Sequence, residues 1–128
     1  MDLQLGAKTA LITGSSKGIG EAIPRKLALE KAGVIVPGRD RVQAERVAND
    51  IIMLGGSAHV VVGDLTDDDQ VRQMIDSAYK LAGIIDILVN NAGGSGGVKD
   101  DWNTTHPQSW QAAYDRNVLT ALRVSKSL

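Results

Sequence analysis

The sequence predicts an α/β fold built on a parallel sheet with helices on both faces. Four short apolar runs recur along the chain, each closed by a glycine, proline or asparagine turn. Longer stretches, with apolar residues three or four apart, separate them. The order is therefore βαβαβαβα. Strands that read as continuous apolar runs, rather than alternating ones, belong to parallel sheets buried from both sides.

The first run is Thr9–Thr13, ending in Gly14. A helix should follow, because Ile19, Ile23 and Leu27 are spaced by four and make one stripe. The second run, Val34–Val36, ends in Pro37-Gly38. Asp40 followed by Gln43 has the spacing of an N-cap and its partner. It opens a helix through Val47, Ala48, Ile51 and Ile52. The third run, His59–Val62, ends in Gly63-Asp64. Thr66 before Asp67-Asp68-Asp69 predicts a cap with three carboxylates in the first turn, where they complement the helix dipole. That helix carries Val71, Met74, Ile75, Ala78 and Leu81. The fourth run, Ile84–Val89, is broken once by Asp86 and ends in Asn90-Asn91.

Gly93-Gly94-Ser95-Gly96-Gly97 reads as a mobile loop. A last helix starts near Pro107, a residue suited to the first helical position, and runs toward Leu128. On it Trp110, Ala113, Tyr114, Ala121 and Val124 recur at helical spacing and predict a buried face. Asn117 falls on the same face, where an amide must find partners for its donors and acceptor.

A length of 128 residues allows one core, and 43% apolar with 23% charged residues is the balance of a globular domain. With no cysteine, disulfides, thiolate zinc sites, iron–sulfur clusters and a cysteine nucleophile are excluded. Residues 1–64 carry 8 basic and 7 acidic groups and residues 65–128 carry 6 and 8, so neither half is a basic patch and no nucleic-acid partner is expected. Neither His59 nor His106 has a nucleophile or ligand at useful spacing, so no metal site is expected. The sequence shows no membrane span and no leader with a basic segment before an apolar one, which makes a cytoplasmic location the expectation.

After the first run comes Thr13-Gly14-Ser15-Ser16-Lys17-Gly18-Ile19-Gly20, with glycines spaced G-x-x-x-G-x-G. Glycines at those places let the chain turn tightly and let backbone N–H groups approach a diphosphate at a helix N-terminus. The same spacing also fits a generic strand-to-helix turn. It is not a Walker A loop, because no Gly-Lys-Ser/Thr closes it. Thr13–Gly20 resembles the TGxxxGIG fingerprint of the classical short-chain dehydrogenases/reductases. Asn90-Asn91-Ala92-Gly93 resembles that family's NNAG motif, Asp64 its adenine-pocket aspartate, and Asn117 the asparagine of its Asn-Ser-Tyr-Lys tetrad. The four features stand in the family's order across the whole chain.

The resemblance implies a Rossmann-type, doubly wound parallel sheet and hydride transfer between a nicotinamide and a carbonyl or alcohol. Residues 1–128 would form a single partial dinucleotide-binding domain with four strands in the order 3-2-1-4. By resemblance, Gly14, Ser16, Gly18 and Ile19 would surround the diphosphate. Asp64 and Leu65 would meet the adenine. Asn91, Ala92 and Gly93 would line the ribose and nicotinamide side. Asn117 would hold the water of a proton relay.

Dinucleotide folds that select NAD place an acid about 20 residues beyond the glycines. Gly38 stands at that position here, and Arg39 follows it. A guanidinium suits a ribose 2′-phosphate, and Lys17 would add a second charge. NADP(H) is therefore expected over NAD(H). Asp40 is the rival acid, though its spacing to Gln43 suits a cap.

The family's catalytic serine, tyrosine and lysine have no counterpart here. The tyrosines are Tyr79 and Tyr114, and Gly83 and Val118 stand four residues on, so there is no Tyr-x-x-x-Lys. The chain reads as the cofactor-binding N-terminal half of such an enzyme, inactive alone, and alternatively as a non-catalytic dinucleotide-binding or interaction module. Its fourth strand would keep a free edge, which predicts self-association or marginal stability. Pro24 also departs from the family, and inside a regular helix it would cost about 3 kcal/mol. Only a helix starting near Ala22 or Ile23 makes it harmless.

Overall fold

Four strands form one parallel sheet in the order β3-β2-β1-β4: β1 (Thr9–Ile12), β2 (Gly33–Gly38), β3 (Ala58–Val62) and β4 (Ile87–Val89). The computed structural model describes residues 2–16, 18–94 and 104–128. Lys17, and the glycine-rich stretch beyond Gly94, lie outside the described residues. The register runs Leu11↔Ile35 between β1 and β2, Leu11↔Leu88 between β1 and β4, and Ile35↔His59 between β2 and β3. Among the described residues β4 pairs with β1 alone, so its outer edge is free.

Alternation along the strands builds two cores. Ala10, Ile12, Val34 and Val36 face α1 (Ala22–Leu29) and α2 (Arg41–Met53), where Val47, Ala48 and Ile51 are buried. Leu11, Ile35 and Val61 face the other way, onto Val71, Met74, Ile75 and Ala78 of α3 (Asp68–Ala82) and Val124 of the last helix. Successive strand residues point to opposite faces, and here both faces are covered, which is why the runs are apolar without a break.

Several local expectations are corrected. β2 continues through Pro37 to Gly38. The β1–β2 ladder ends at Leu11↔Ile35, so the missing N–H of Pro37 interrupts no bond to β1. β4 begins at Ile87 and not at Ile84, because Asp86 is used at the foot of β1: its carboxylate accepts from Thr9 N at 2.9 Å and its own N–H donates to Thr9 O. Asp40 does cap α2, accepting from Val42 N and Gln43 N, but Gln43 turns away and accepts from Arg46. The cap of α3 is Asp67 rather than Thr66. Asp67 accepts from Asp69 N and Gln70 N, while Thr66 is taken up by Asp64.

Ile19 does not continue the helical stripe. Gly18–Glu21 is a 3₁₀ turn, and Ile19 on it is 90% exposed. α1 begins only at Ala22, so Pro24 sits in its first turn, where an intrahelical N–H bond is not required, and the expected penalty is relieved. The last helix is also not continuous. It divides into α4 (Pro107–Tyr114), a π turn (Asp115–Leu119) and α5 (Thr120–Ser127). Asn117 Nδ2 donates to Ala113 O at 2.8 Å, the acceptor that its own backbone N–H would take in a regular helix, and that competition widens the turn. The expected buried face is largely open. Trp110 and Tyr114 are 59% and 56% exposed and Asn117 is exposed, while Thr120 and Val124 are buried. The reason is positional: only the α5 end of this helix reaches the core formed by α3. No helix among the described residues is long and apolar enough to cross a membrane.

Candidate functional site

A cleft of about 420 Å³ opens where all four strands end. Order 3-2-1-4 means that the chain leaves β1 in one direction toward β2 and β3, and in the other toward β4. Open parallel sheets bind ligands at such a switch point. Gly14 and Ser16 follow β1, Arg39 follows β2, Asp64 and Leu65 follow β3, and Ala92 and Gly93 follow β4; all seven line the cleft. On the opposite wall stand Ala112, Asp115, Arg116 and Thr120 of the last helix.

The floor is held by Thr13, which is 2% exposed. Its Oγ1 accepts from Asn91 N and Ala92 N, each at 3.0 Å, and its hydroxyl lies 3.4 Å from Val89 O as donor. Asn91 Nδ2 donates back to Gly14 O at 3.2 Å. The glycine turn and the Asn91-Ala92 turn are thus fastened to each other and not merely adjacent. That closeness dictates two of the glycines. Gly14 has φ +68°, and a Cβ there would lie 2.9 Å from Ala92 Cα. A Cβ on Gly20 would collide with the Gly14 carbonyl oxygen. At the far end of the 3₁₀ turn, Glu21 is gripped by Arg46 of α2 at 2.9 Å and by Arg25 at 3.1 Å. The Arg46 guanidinium, helped by Arg25, holds Glu21 below the usual carboxylate range.

Asp64 sits in a tight polar turn. Its Oδ1 accepts from Thr66 N at 2.9 Å and Thr66 Oγ1 at 2.7 Å, and its N–H donates to Gln70 Oε1. The Thr66 hydroxyl and then the Thr66 N–H hold its carboxyl below the ordinary range, with the Arg39 and Arg123 charges adding to them. A carboxylate whose folded pKa is lowered stabilises the fold above its unfolded pKa of about 3.9, and the stabilisation is lost as pH falls through the folded value. Thr66→Val should therefore raise the Asp64 pKa toward the ordinary value in an NMR titration. The accompanying loss of stability should be present at neutral pH and vanish at pH values below the wild-type Asp64 pKa. An unchanged titration would show that the hydroxyl has no such role.

Of the other predicted residues, Gly18 and Ile19 lie on the 3₁₀ turn and do not line the cleft. Asn91 acts on the glycine turn from below, as described. Asn117 is drawn to the loop after Gly93: Gly94 N donates to its Oδ1 at 2.9 Å, and its Nδ2 donates to Gly94 O at 2.8 Å. Arg39 is exposed and makes no ion pair or hydrogen bond among the described residues. The sequence reading missed Thr13 as the floor of the site, although it lies inside the glycine fingerprint; a hydroxyl at a strand end is its only signal. It missed Arg116 and Asp115 too, because a helix wall 50 residues from the strand-three turn has no local signature.

Residues 8–128 match the family model described as short chain dehydrogenase. The chain belongs to the short-chain dehydrogenase/reductase family. The chain is 34% identical over 125 residues to the 7alpha-hydroxysteroid dehydrogenase of Escherichia coli K12, covering 98% of this chain and 48% of that protein. Among solved structures it resembles a gluconate 5-dehydrogenase from Burkholderia cenocepacia in complex with NADP and tartrate, with TM-score 0.88 and 33% identity over 96% of this chain and 48% of that one. It also resembles a metagenomic short-chain oxidoreductase in complex with NADP, with TM-score 0.85 and 32% identity over 97% of this chain and 56% of that one. The chain spans about half the length of the curated relatives it matches.

Proposed function

We propose that this chain is a dinucleotide-binding domain that takes NADP(H) in preference to NAD(H) and serves an oxidoreductase interconverting a carbonyl and an alcohol. One observation carries the reading: residues from the ends of all four strands, Gly14 and Gly93 among them, meet in a single cleft with the exposed guanidinium of Arg39 on its wall. The residues fit the group. Bare glycine backbone lines the floor where a diphosphate must come close, and the exposed guanidinium of Arg39, without a hydrogen bond among the described residues, suits a 2′-phosphate. Gly14 and Ser16 of the cleft, with Gly18 and Ile19 on the adjoining 3₁₀ turn, would hold the diphosphate, and Lys17 would add a second charge to that of Arg39 at the 2′-phosphate. Asp64 and Leu65 would meet the adenine, and Asn91, Ala92 and Gly93 the nicotinamide half. When bound, the nicotinamide supplies or accepts a hydride. Asn117 would hold a relay water, and its two bonds to Gly94 would keep the helix wall beside that half. The NADP-bound family members that this chain resembles support the cofactor.

Catalysis by these 128 residues alone is not expected, because no Tyr-x-x-x-Lys stands in the sequence. A non-catalytic dinucleotide-binding or interaction module is the second reading. Calorimetric titration of the chain with NADPH and NADH tests the binding. NADPH should bind more tightly, and equal or tighter NADH binding would refute the preference. Nicotinamide absorbance in the presence of carbonyl or alcohol substrates separates the readings, since turnover would eliminate the binding module. The outer β4 edge, unpaired among the described residues, leads us to propose further that the chain self-associates through it. Sedimentation should show concentration-dependent mass, and a monodisperse monomer with an ordinary cooperative melt would contradict this.

A further inference from the structure

We propose that Arg123 is a positioning residue that fastens the two walls of the cleft from behind and so sets the gap in which the adenosine half of a dinucleotide is held. The part concerning the nucleotide rests on the reading above.

Arg123 belongs to α5, and its side chain is 19% exposed. It reaches both walls. Toward the strand side, Nη1 donates to Leu65 O at 3.2 Å and Nε to Asp68 Oδ1 at 2.7 Å. Toward the helix side, Nη2 lies 2.5 Å from Asp115 Oδ1, at the start of the π turn. That oxygen has no aligned donor, so this hold is ionic rather than a directed hydrogen bond. Leu65 and Asp115 both line the cleft, and Arg123 is not part of its lining. It therefore acts on the walls and not on a ligand.

Fifty residues separate the two walls in sequence, and no local structure fixes their spacing. Val124 shares one buried apolar cluster with Val71, Met74, Ile75 and Ala78, which draws α5 to α3, but such burial is non-directional and tolerates sliding. The planar guanidinium is directional toward Leu65 O and Asp68 Oδ1 and adds its ionic hold on Asp115, a combination that a lysine, as a point charge, does not reproduce. The same fork also links the Leu65 turn to the π turn carrying Asn117, two residues beyond Asp115.

The test has two arms. The sequence has no cysteine. Nitroxide labels on Gln73→Cys in α3 and Gln111→Cys in α4, both exposed, would therefore report the spacing without competing sites. Diluting labelled with unlabelled chain removes distances between copies. A single narrow distance distribution is expected in the parent, a broadened one in Arg123→Ala, and partial narrowing in Arg123→Lys. In the second arm, adenosine 2′,5′-bisphosphate should lose about tenfold in affinity in Arg123→Ala, while nicotinamide mononucleotide changes by less than about twofold. General destabilisation would weaken both halves alike. Should Arg123→Ala fail to fold, Asp115→Asn and Asp68→Asn each release one hold. The former should have the larger effect, since the Asp115 side chain is 33% exposed and that of Asp68 is 70% exposed. An unchanged distance distribution, or equal losses for the two half-ligands, overturns the proposal. Should the parent bind neither half-ligand, the nucleotide reading falls, and the distance arm alone decides whether Arg123 is the clamp.

Discussion

Replacing Arg39 with alanine should lower NADPH affinity by about 10- to 100-fold and leave NADH within about twofold, the range expected for losing charge-assisted hydrogen bonds to one phosphate. Arg39 follows Gly38 at the end of β2, and Gly38 offers no carboxylate where an NAD-selecting acid would stand. The guanidinium makes no direct ion pair or hydrogen bond among the described residues, though its charge is felt by Asp64, so its donors are open to a phosphate. Asp40, the rival acid, has its Oδ1 occupied at the start of α2, where it accepts from Val42 N at 3.0 Å and Gln43 N at 3.4 Å. The measurement is a pair of calorimetric titrations at two salt concentrations. In the parent, NADPH affinity should fall with salt more steeply than NADH affinity, and Arg39→Ala should bring the two slopes together. A variant that loses both cofactors equally would show that Arg39 does not read the 2′-phosphate. A parent that prefers NADH would transfer that reading to Asp40.

Thr13→Val should cost about 2 kcal/mol of stability and weaken every nucleotide alike, because two half-buried N–H groups lose their acceptor, each at about the low end of the 1–3 kcal/mol that a buried one costs. Valine has nearly the shape of threonine, so the packing of a residue 2% exposed is preserved and only the hydroxyl is removed. Asn91 N and Ala92 N then lose their common acceptor. The turn after β4 is released from the glycine turn, and the close approach of Gly14 to Ala92 is no longer enforced. Thr13→Ser keeps the acceptor and should recover most of both losses. Urea unfolding with nucleotide titration of the three proteins checks this. Equal stability of the valine and serine variants would mean that the hydroxyl does not hold the floor.

The two variants differ in what they report. Arg39 acts on one phosphate, so its effect appears as a change of preference. Thr13 acts on the shape of the cleft, so its effect is common to all nucleotides and appears in stability as well. Measuring both in one protein separates recognition from construction of the site.

What the sequence determined by itself was the sheet and its ligand-binding end. Uninterrupted apolar runs require cover on two faces, and the glycines and turn amides mark the ends where the chain must bend closely; both are local facts about backbone and side-chain type. Asp40 was legible as a cap for the same reason, since its acceptor serves N–H groups two and three residues away. Tertiary structure decided the rest. Whether Pro24 was harmful depended on where α1 could start, and that followed from the 3₁₀ turn tied to α2 through Glu21 and Arg46. Whether Trp110 and Tyr114 were core depended on what packs against α4, and helical spacing shows only that they share a face. The π turn at Asn117 arose because its amide bridges Ala113 and a loop 23 residues away. The helix wall of the cleft, Arg116 and the Arg123 fork behind it included, exists only once residues near 65 and 115 meet. Periodicity reports neighbours within a few residues, whereas a cleft between distant segments is set by long-range packing.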